Sequence, residues 1–114
     1  MQEMPGPGKA RTVMISPHVS ESRIQKQIAD ILTIRGIVFC RSRFDKRTTI
    51  AKGWPDFTLA INGTPIALEV KGETGKLSDA QKACHEGMKR NGWRVYVVRS
   101  IAEAVDILNH YLRL

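Results

Sequence analysis

The sequence predicts a single α/β domain built on a central mixed β-sheet flanked by helices, in the order α-β-β-β-α-β-α. Three observations predict it. Asn62-Gly63 separates two runs that alternate apolar and polar residues, the strongest short-range sign of a β-hairpin. Two boxes, Ser78-Asp79-Ala80-Gln81 and Ser100-Ile101-Ala102-Glu103, each open a stretch of helical periodicity. At 114 residues the chain holds one hydrophobic core and is too short for two.

Taken in order, residues 1–18 carry three of the five prolines and show no periodicity, which reads as a flexible lead-in to a domain over 19–114. Ile24, Gln27, Ile28, Ile31, Leu32 and Arg35 follow helical spacing, with Ser20 as the N-cap and Gly36 as the stop. Ile37-Val38-Phe39-Cys40 reads as a buried strand. Residues 41–52 are polar and basic, with Arg41, Arg43, Lys46, Arg47 and Lys52 against the single acid Asp45. The hairpin strands run over 57–61 and 64–71, followed by a loop over 72–76. The first box opens a helix that ends near Asn91-Gly92, and residues 93–98 form the last strand, with Trp93 and Tyr96 bordering the sheet. The final helix is expected to bury Ile101, Ala104, Val105, Leu108 and Leu112.

Charge narrows the partner. The net charge is +7 and the isoelectric point about 9.9, a balance that favours a polyanion, either nucleic acid or an anionic membrane surface. The longest apolar runs, such as 66–70 and 95–98, are far too short to cross a bilayer, and the N-terminus has no signal-peptide core. Nucleic acid is therefore the expected partner, with no membrane, and the cytoplasm the expected place. Cys40 and Cys84 lack any zinc-type spacing and read as reduced, mostly buried thiols. His18, His85 and His110 are scattered and read as surface or satisfied core residues.

The hairpin sorts its own charges. With Asn62 and Gly63 as the two turn residues, Ile61 pairs with Thr64, Leu59 with Ile66, Phe57 with Leu68 and Asp56 with Glu69. Alternation then puts Phe57, Leu59, Ile61, Ile66, Leu68 and Val70 on one face, and Asp56, Thr58, Ala60, Ala67, Glu69 and Lys71 on the other. A slip of one residue would ruin both faces. Carboxylates opposite one another have Cβ atoms about 4.5–5.5 Å apart and repel. A divalent cation turns that repulsion into a site, since Mg²⁺ prefers one or two carboxylates and keeps waters for chemistry. Lys71, two residues beyond Glu69 on the same face, is placed to orient or deprotonate water or to neutralise phosphate charge.

Pro55-Asp56, a short hairpin and Glu69-Val70-Lys71 resemble the PD-(D/E)xK nuclease signature. The wider set is more specific: Glu21 in a preceding helix, Gly53-Trp54-Pro55-Asp56, Leu68-Glu69-Val70-Lys71-Gly72 and Leu77-Ser78-Asp79-Ala80-Gln81 together resemble the VRR-NUC (virus-type replication-repair nuclease) family over about residues 20–100. The resemblance implies a restriction-endonuclease-like core and hydrolysis of phosphodiesters with Mg²⁺ or Mn²⁺. Asp56, Glu69 and the Val70 carbonyl would be metal ligands and Lys71 the catalytic lysine. Gln81 would position water or phosphate, and Glu21 would be an outer ligand. It further implies branched DNA, such as four-way junctions or flaps, as substrate and a homodimer as the working form.

Arg43, Lys46, Arg47 and Lys52 precede Asp56 and are expected to contact the DNA backbone, with Trp54 available to stack on an exposed base. No segment resembles a base-reading helix, so sequence-specific recognition is not expected. The alternatives are a non-catalytic nucleic-acid-binding module with a vestigial acidic pair, an RNA-directed nuclease of the same fold, and a basic scaffold protein.

Overall fold

Helical and alternating periodicities resolve into α1 (Glu21–Ile34), β1 (Phe39–Arg41), β2 (Phe57–Ile61), β3 (Thr64–Val70), α2 (Asp79–Arg90), β4 (Arg94–Val98) and α3 (Ile101–Leu112), the predicted order. They are seen in a computed structural model that describes residues 19–42 and 50–113, so the expected lead-in over 1–18 lies outside the described residues. The sheet order is β1-β2-β3-β4. The first three strands are antiparallel, and β4 returns parallel to β3 after the α2 crossover. The sheet is therefore mixed, as the sequence predicts.

The hairpin register is the predicted one, from Ile61 opposite Thr64 to Phe57 opposite Leu68. Asn62 and Gly63 both have positive φ, 51° and 81°, which is the type I′ turn whose twist suits a two-residue hairpin. The apolar face this register creates packs against Ile24, Ile28 and Leu32 of α1 and Ala104 and Leu108 of α3, all essentially inaccessible to solvent. Each isoleucine or leucine among them stabilises the fold by about 1.5–3 kcal/mol when fully buried. α2 lies on the opposite, polar face, where its Gln81 and His85 reach Glu69. Three layers result, with α1 and α3 sealing the core and α2 covering the charged side.

The helix starts follow the sequence with one amendment. Ser20 caps α1 by accepting from the Arg23 N–H at 3.2 Å, and Ser78 and Gln81 form the full reciprocal box at α2. At α3 the Ser100 hydroxyl accepts from the Glu103 N–H at 3.1 Å. The Glu103 carboxylate, however, takes the Arg99 N–H at 2.7 Å instead of that of Ser100. Arg99 is the first residue past β4, so its amide has left the strand ladder and the acid satisfies it.

Three packing expectations need correction. Residues 37–40 do not form a buried strand: β1 starts at Phe39, Val38 is 88% exposed, and Cys40 is exposed. β1 is an edge strand of three residues, so its run of apolar residues has a neighbour on one side only. Neither thiol is buried, since Cys84 is only half-buried, and both are free. Leu112, placed in the core stripe of α3, is 40% exposed, while Ile107 and Tyr111 pack against the core in its stead. Among the described residues no helix is long and apolar enough to cross a membrane.

Candidate active site

In a hairpin closed by a two-residue turn, opposed residues alternate between hydrogen-bonded and non-hydrogen-bonded pairs, counted from the turn. Ile61/Thr64, Leu59/Ile66 and Phe57/Leu68 are bonded pairs by this count. Asp56 and Glu69 follow as a non-bonded pair, the kind in which side chains stand closest. The backbone of Asp56 turns the other way, toward β1, where its carbonyl accepts from the Ser42 N–H at 2.8 Å. The Ser42 hydroxyl donates to the Pro55 carbonyl at 2.7 Å, and Pro55 is fully buried. The start of β2 is thus pinned before any ligand arrives.

One position further, Val70 stands opposite Pro55. A regular ladder would have residue 55 donate its N–H to the Val70 carbonyl, and proline has none. The Val70 N–H is satisfied differently, donating to Asp56 Oδ2 at 2.7 Å. On the other edge, the Lys71 N–H donates to the Val98 carbonyl at 3.0 Å. Pairing with β4 therefore engages Glu69 and Lys71, and the backbone of Val70 faces the Asp56 side. Its carbonyl, left without a ladder donor by the proline, is a natural oxygen ligand for a cation.

Glu69 is 2% exposed and Asp56 9%. The Glu69 carboxyl meets two side chains of α2, four residues apart and so on one helix face. His85 Nε2 lies 3.0 Å from Oε1, and the Gln81 amide nitrogen donates to Oε2 at 3.4 Å. The capping box orients that amide, because Gln81 Oε1 accepts from the Ser78 N–H at 2.9 Å and leaves the NH₂ group toward Glu69. Burial first, then the hydrogen bond and charge of Asp56, push the Glu69 carboxyl from 4.5 up to about 9; Lys71 opposes this weakly and Glu21 adds to it. Burial, with the nearby cations Lys89 and Lys71, holds His85 below the usual histidine range despite the pull of Asp56. A neutral His85 donates its Nε2 proton to Glu69 once that carboxyl is ionised.

Asp56, Glu69, Lys71 and Gln81 are thus brought together at one end of the hairpin on its polar face, with the Val70 backbone beside Asp56 and the Val70 side chain in the core. Glu21, at the start of α1, lies within electrostatic reach of Glu69. Among the described residues no group of three or more His, Cys, Asp or Glu side chains could hold a metal ion, so Glu21 is not a third carboxylate of one compact ligand set. Two carboxylates and a carbonyl are oxygen donors of the kind that Mg²⁺ or Mn²⁺ takes, while the nearby ring nitrogen, His85 Nε2, is turned to Glu69 Oε1. Lys52 is exposed, and Trp54 is half-buried against Trp93, edge to face with ring centres 6.0 Å apart. Arg43, Lys46 and Arg47 lie outside the described residues. Sequence reasoning gave His85 no part in the site; its spacing of four from Gln81 was the available signal.

A mixed sheet with an acidic pair at the end of its hairpin and a lysine two residues on makes up an α/β domain. The family model for the VRR-NUC domain matches residues 8–102, and the chain belongs to that family. A solved structure described as a VRR_NUC domain is similar over 80% of this chain and 96% of its own, at 28% identity and a TM-score of 0.62. Another, a VRR_NUC domain protein, is similar over 84% and 90% with a TM-score of 0.70; at 17% identity it speaks for the fold alone. No curated protein matches the sequence.

Proposed function

We propose that this protein is a Mg²⁺- or Mn²⁺-dependent endodeoxyribonuclease that cuts branched DNA, such as four-way junctions or flaps, as a homodimer. One observation carries the metal-dependent reading: two buried, facing carboxyls beside a carbonyl that Pro55 leaves without a ladder donor. Asp56, Glu69 and the Val70 carbonyl would hold the cation, with Glu21 in an outer position. When bound, the cation supplies charge neutralisation at a phosphate oxygen and lowers the proton affinity of water. Lys71 orients the attacking water or offsets charge on the phosphate, Gln81 and His85 fix the Glu69 carboxylate, and Lys52 with Arg43, Lys46 and Arg47 holds the DNA backbone. Trp54 offers a surface on which an unpaired base could stack. Branched substrates rest on the family resemblance, and the exposed Ile34 and Val38 offer apolar surface for a second copy.

The test is cleavage of labelled four-way junction, flap, splayed arm and duplex with Mg²⁺, Mn²⁺ or EDTA, with sedimentation of the same mixtures. Asp56→Asn is expected to bind these DNAs as the wild type does and to leave them uncut. Undiminished cutting by that variant, or cutting in EDTA, would sink the site. Binding without cutting by the wild type in either metal would leave only a nucleic-acid-binding module.

His85→Ala tests the support behind the ligand. Removing the donor 3.0 Å from Glu69 is expected to weaken Mg²⁺ affinity about 10–100-fold, as losses behind a metal ligand do. Calorimetric titration of metal into the DNA-free protein measures it; unchanged affinity would reduce His85 to packing.

A further inference from the structure

Parallel pairing of β3 with β4 sets Glu69 beside Val97 and Val70 beside Val98, so Lys71 and Arg99 are neighbours one row further on and share the polar face. Two adjacent cations repel unless one is offset. Arg99 is offset by backbone oxygens: its Nη1 donates to the carbonyls of Gly72 at 2.7 Å, Gly75 at 2.8 Å and, more weakly, Glu73 at 3.4 Å. Those three carbonyls belong to a tight turn closed by the Gly75 N–H donating to the Gly72 carbonyl at 3.3 Å. The turn runs beside the lysine. A Cβ placed on Gly75 would sit 3.4 Å from Lys71 Cδ and 3.5 Å from its Cβ, so the lysine stem passes about one methyl group's width from the glycine backbone. Arg99 is itself held, its N–H donating to Glu103 at the head of α3.

We propose that Arg99 is the positioning residue for Lys71: its guanidinium gathers the 72–75 turn onto the lysine stem and so aims the ammonium at the acidic pair. Lysine side chains carry large rotamer freedom, and a head group that must meet one phosphate or one water loses rate when its stem swings. All three contacts converge on one nitrogen, Nη1, so a single charged head at the end of a long side chain gathers the turn. Electrostatic influence of Lys71 on both Glu69 and His85 agrees with a head held on that side. The proposal rests on the reading of Lys71 as catalytic and adds how this chain holds it there.

The experiment is a double-mutant cycle of Lys71→Ala and Arg99→Ala, read as kcat and KM on a labelled four-way junction and flap with Mg²⁺. Arg99→Ala is expected to lower kcat about 10–100-fold with KM little changed. In the Lys71→Ala background it should have almost no further effect. Hydrogen exchange of the 72–76 amides should quicken in Arg99→Ala and not in Lys71→Ala. Arg99→Met, which keeps a long stem without a donor, repeats the cycle should the alanine variant fail to fold, and a lowered kcat is expected there too. Equal losses in both backgrounds, a rise in KM alone, or unchanged amide exchange would overturn the proposal while leaving the lysine reading intact. Full cutting by Lys71→Ala would remove that reading and the proposal together.

Discussion

Glu69→Gln is expected to abolish cleavage and, in the absence of metal, to make the protein more stable at pH 8. The unfolded glutamate ionises near 4.5, whereas in the fold it holds its proton to about 9. Between those values the folded chain binds a proton that the unfolded chain has released. Stability from this group is therefore complete below about pH 4.5 and falls as pH rises toward 9, by up to roughly 1.4 kcal/mol per pH unit. Glutamine escapes that loss because it stays neutral at every pH: its carbonyl takes the place of the oxygen that meets His85, and its NH₂ the place of the one 3.4 Å from Gln81, a weak contact it gives up. Melting temperatures of the two proteins in EDTA should run close together near pH 4.5. They should part at pH 8 in favour of glutamine, by at least about 5 °C if the gain exceeds roughly 1 kcal/mol. Mg²⁺ at pH 8 should raise the melting temperature of the wild type and barely move the variant, since only an ionised carboxylate rewards the cation. Cleavage by the variant should fall at least about 10³-fold, as expected on losing a ligand to the reacting phosphate's cation. A glutamine protein less stable than wild type at pH 8 without metal would mean that the burial and the facing acid do not dominate at Glu69.

The hairpin was legible because its determinants are local. Asn62 and Gly63 favour one turn, the turn fixes one register, and the register alone decides that Glu69 and Lys71 share a face with Asp56. The role of Pro55 follows from that count as well, once bonded and non-bonded pairs are distinguished. Choices made by tertiary packing were not legible. Nothing in the periodicity of α2 says which sheet face it covers, so His85 reads from the sequence as a surface or satisfied core residue, whereas the helix sets it over Glu69. Residues 37–40 have the composition of a buried strand but lie at an edge, and composition carries no information about neighbours. The Gly72–Gly75 turn looked like a plain loop because its organiser, Arg99, is 24 residues beyond the second glycine.

Gly53→Ala is expected to be the most damaging alanine substitution among the described glycines, and the sequence motif containing it gives only half the reason. Gly53 has φ +83°, in a region where a side chain is strained by about 1–3 kcal/mol. That part is shared with Gly63 at φ +81°, whose surroundings are empty within 4 Å. The difference lies in what Gly53 touches. A Cβ there would fall 2.2 Å from the Ala80 carbonyl oxygen and 2.8 Å from the Gln81 nitrogen. Both are backbone atoms of the first turn of α2, which cannot swing aside as a long side chain would, so the helix must back away from the 53–56 segment. Gln81 and His85 ride on that helix, and a shift of even about 1 Å would take both off Glu69. Strain and overpacking together should cost at least about 3 kcal/mol, lowering the melting temperature by roughly 12–24 °C for a domain of this size. Cleavage measured well below that melting point should still fall about 10²-fold or more, because the acid loses its orienting partners. Gly63→Ala is the matched control: it should show the strain alone, about 1–3 kcal/mol, with cleavage by the folded protein unchanged. Equal effects of the two substitutions on melting and on cutting would mean that the close approach of Gly53 to α2 does not hold the site together.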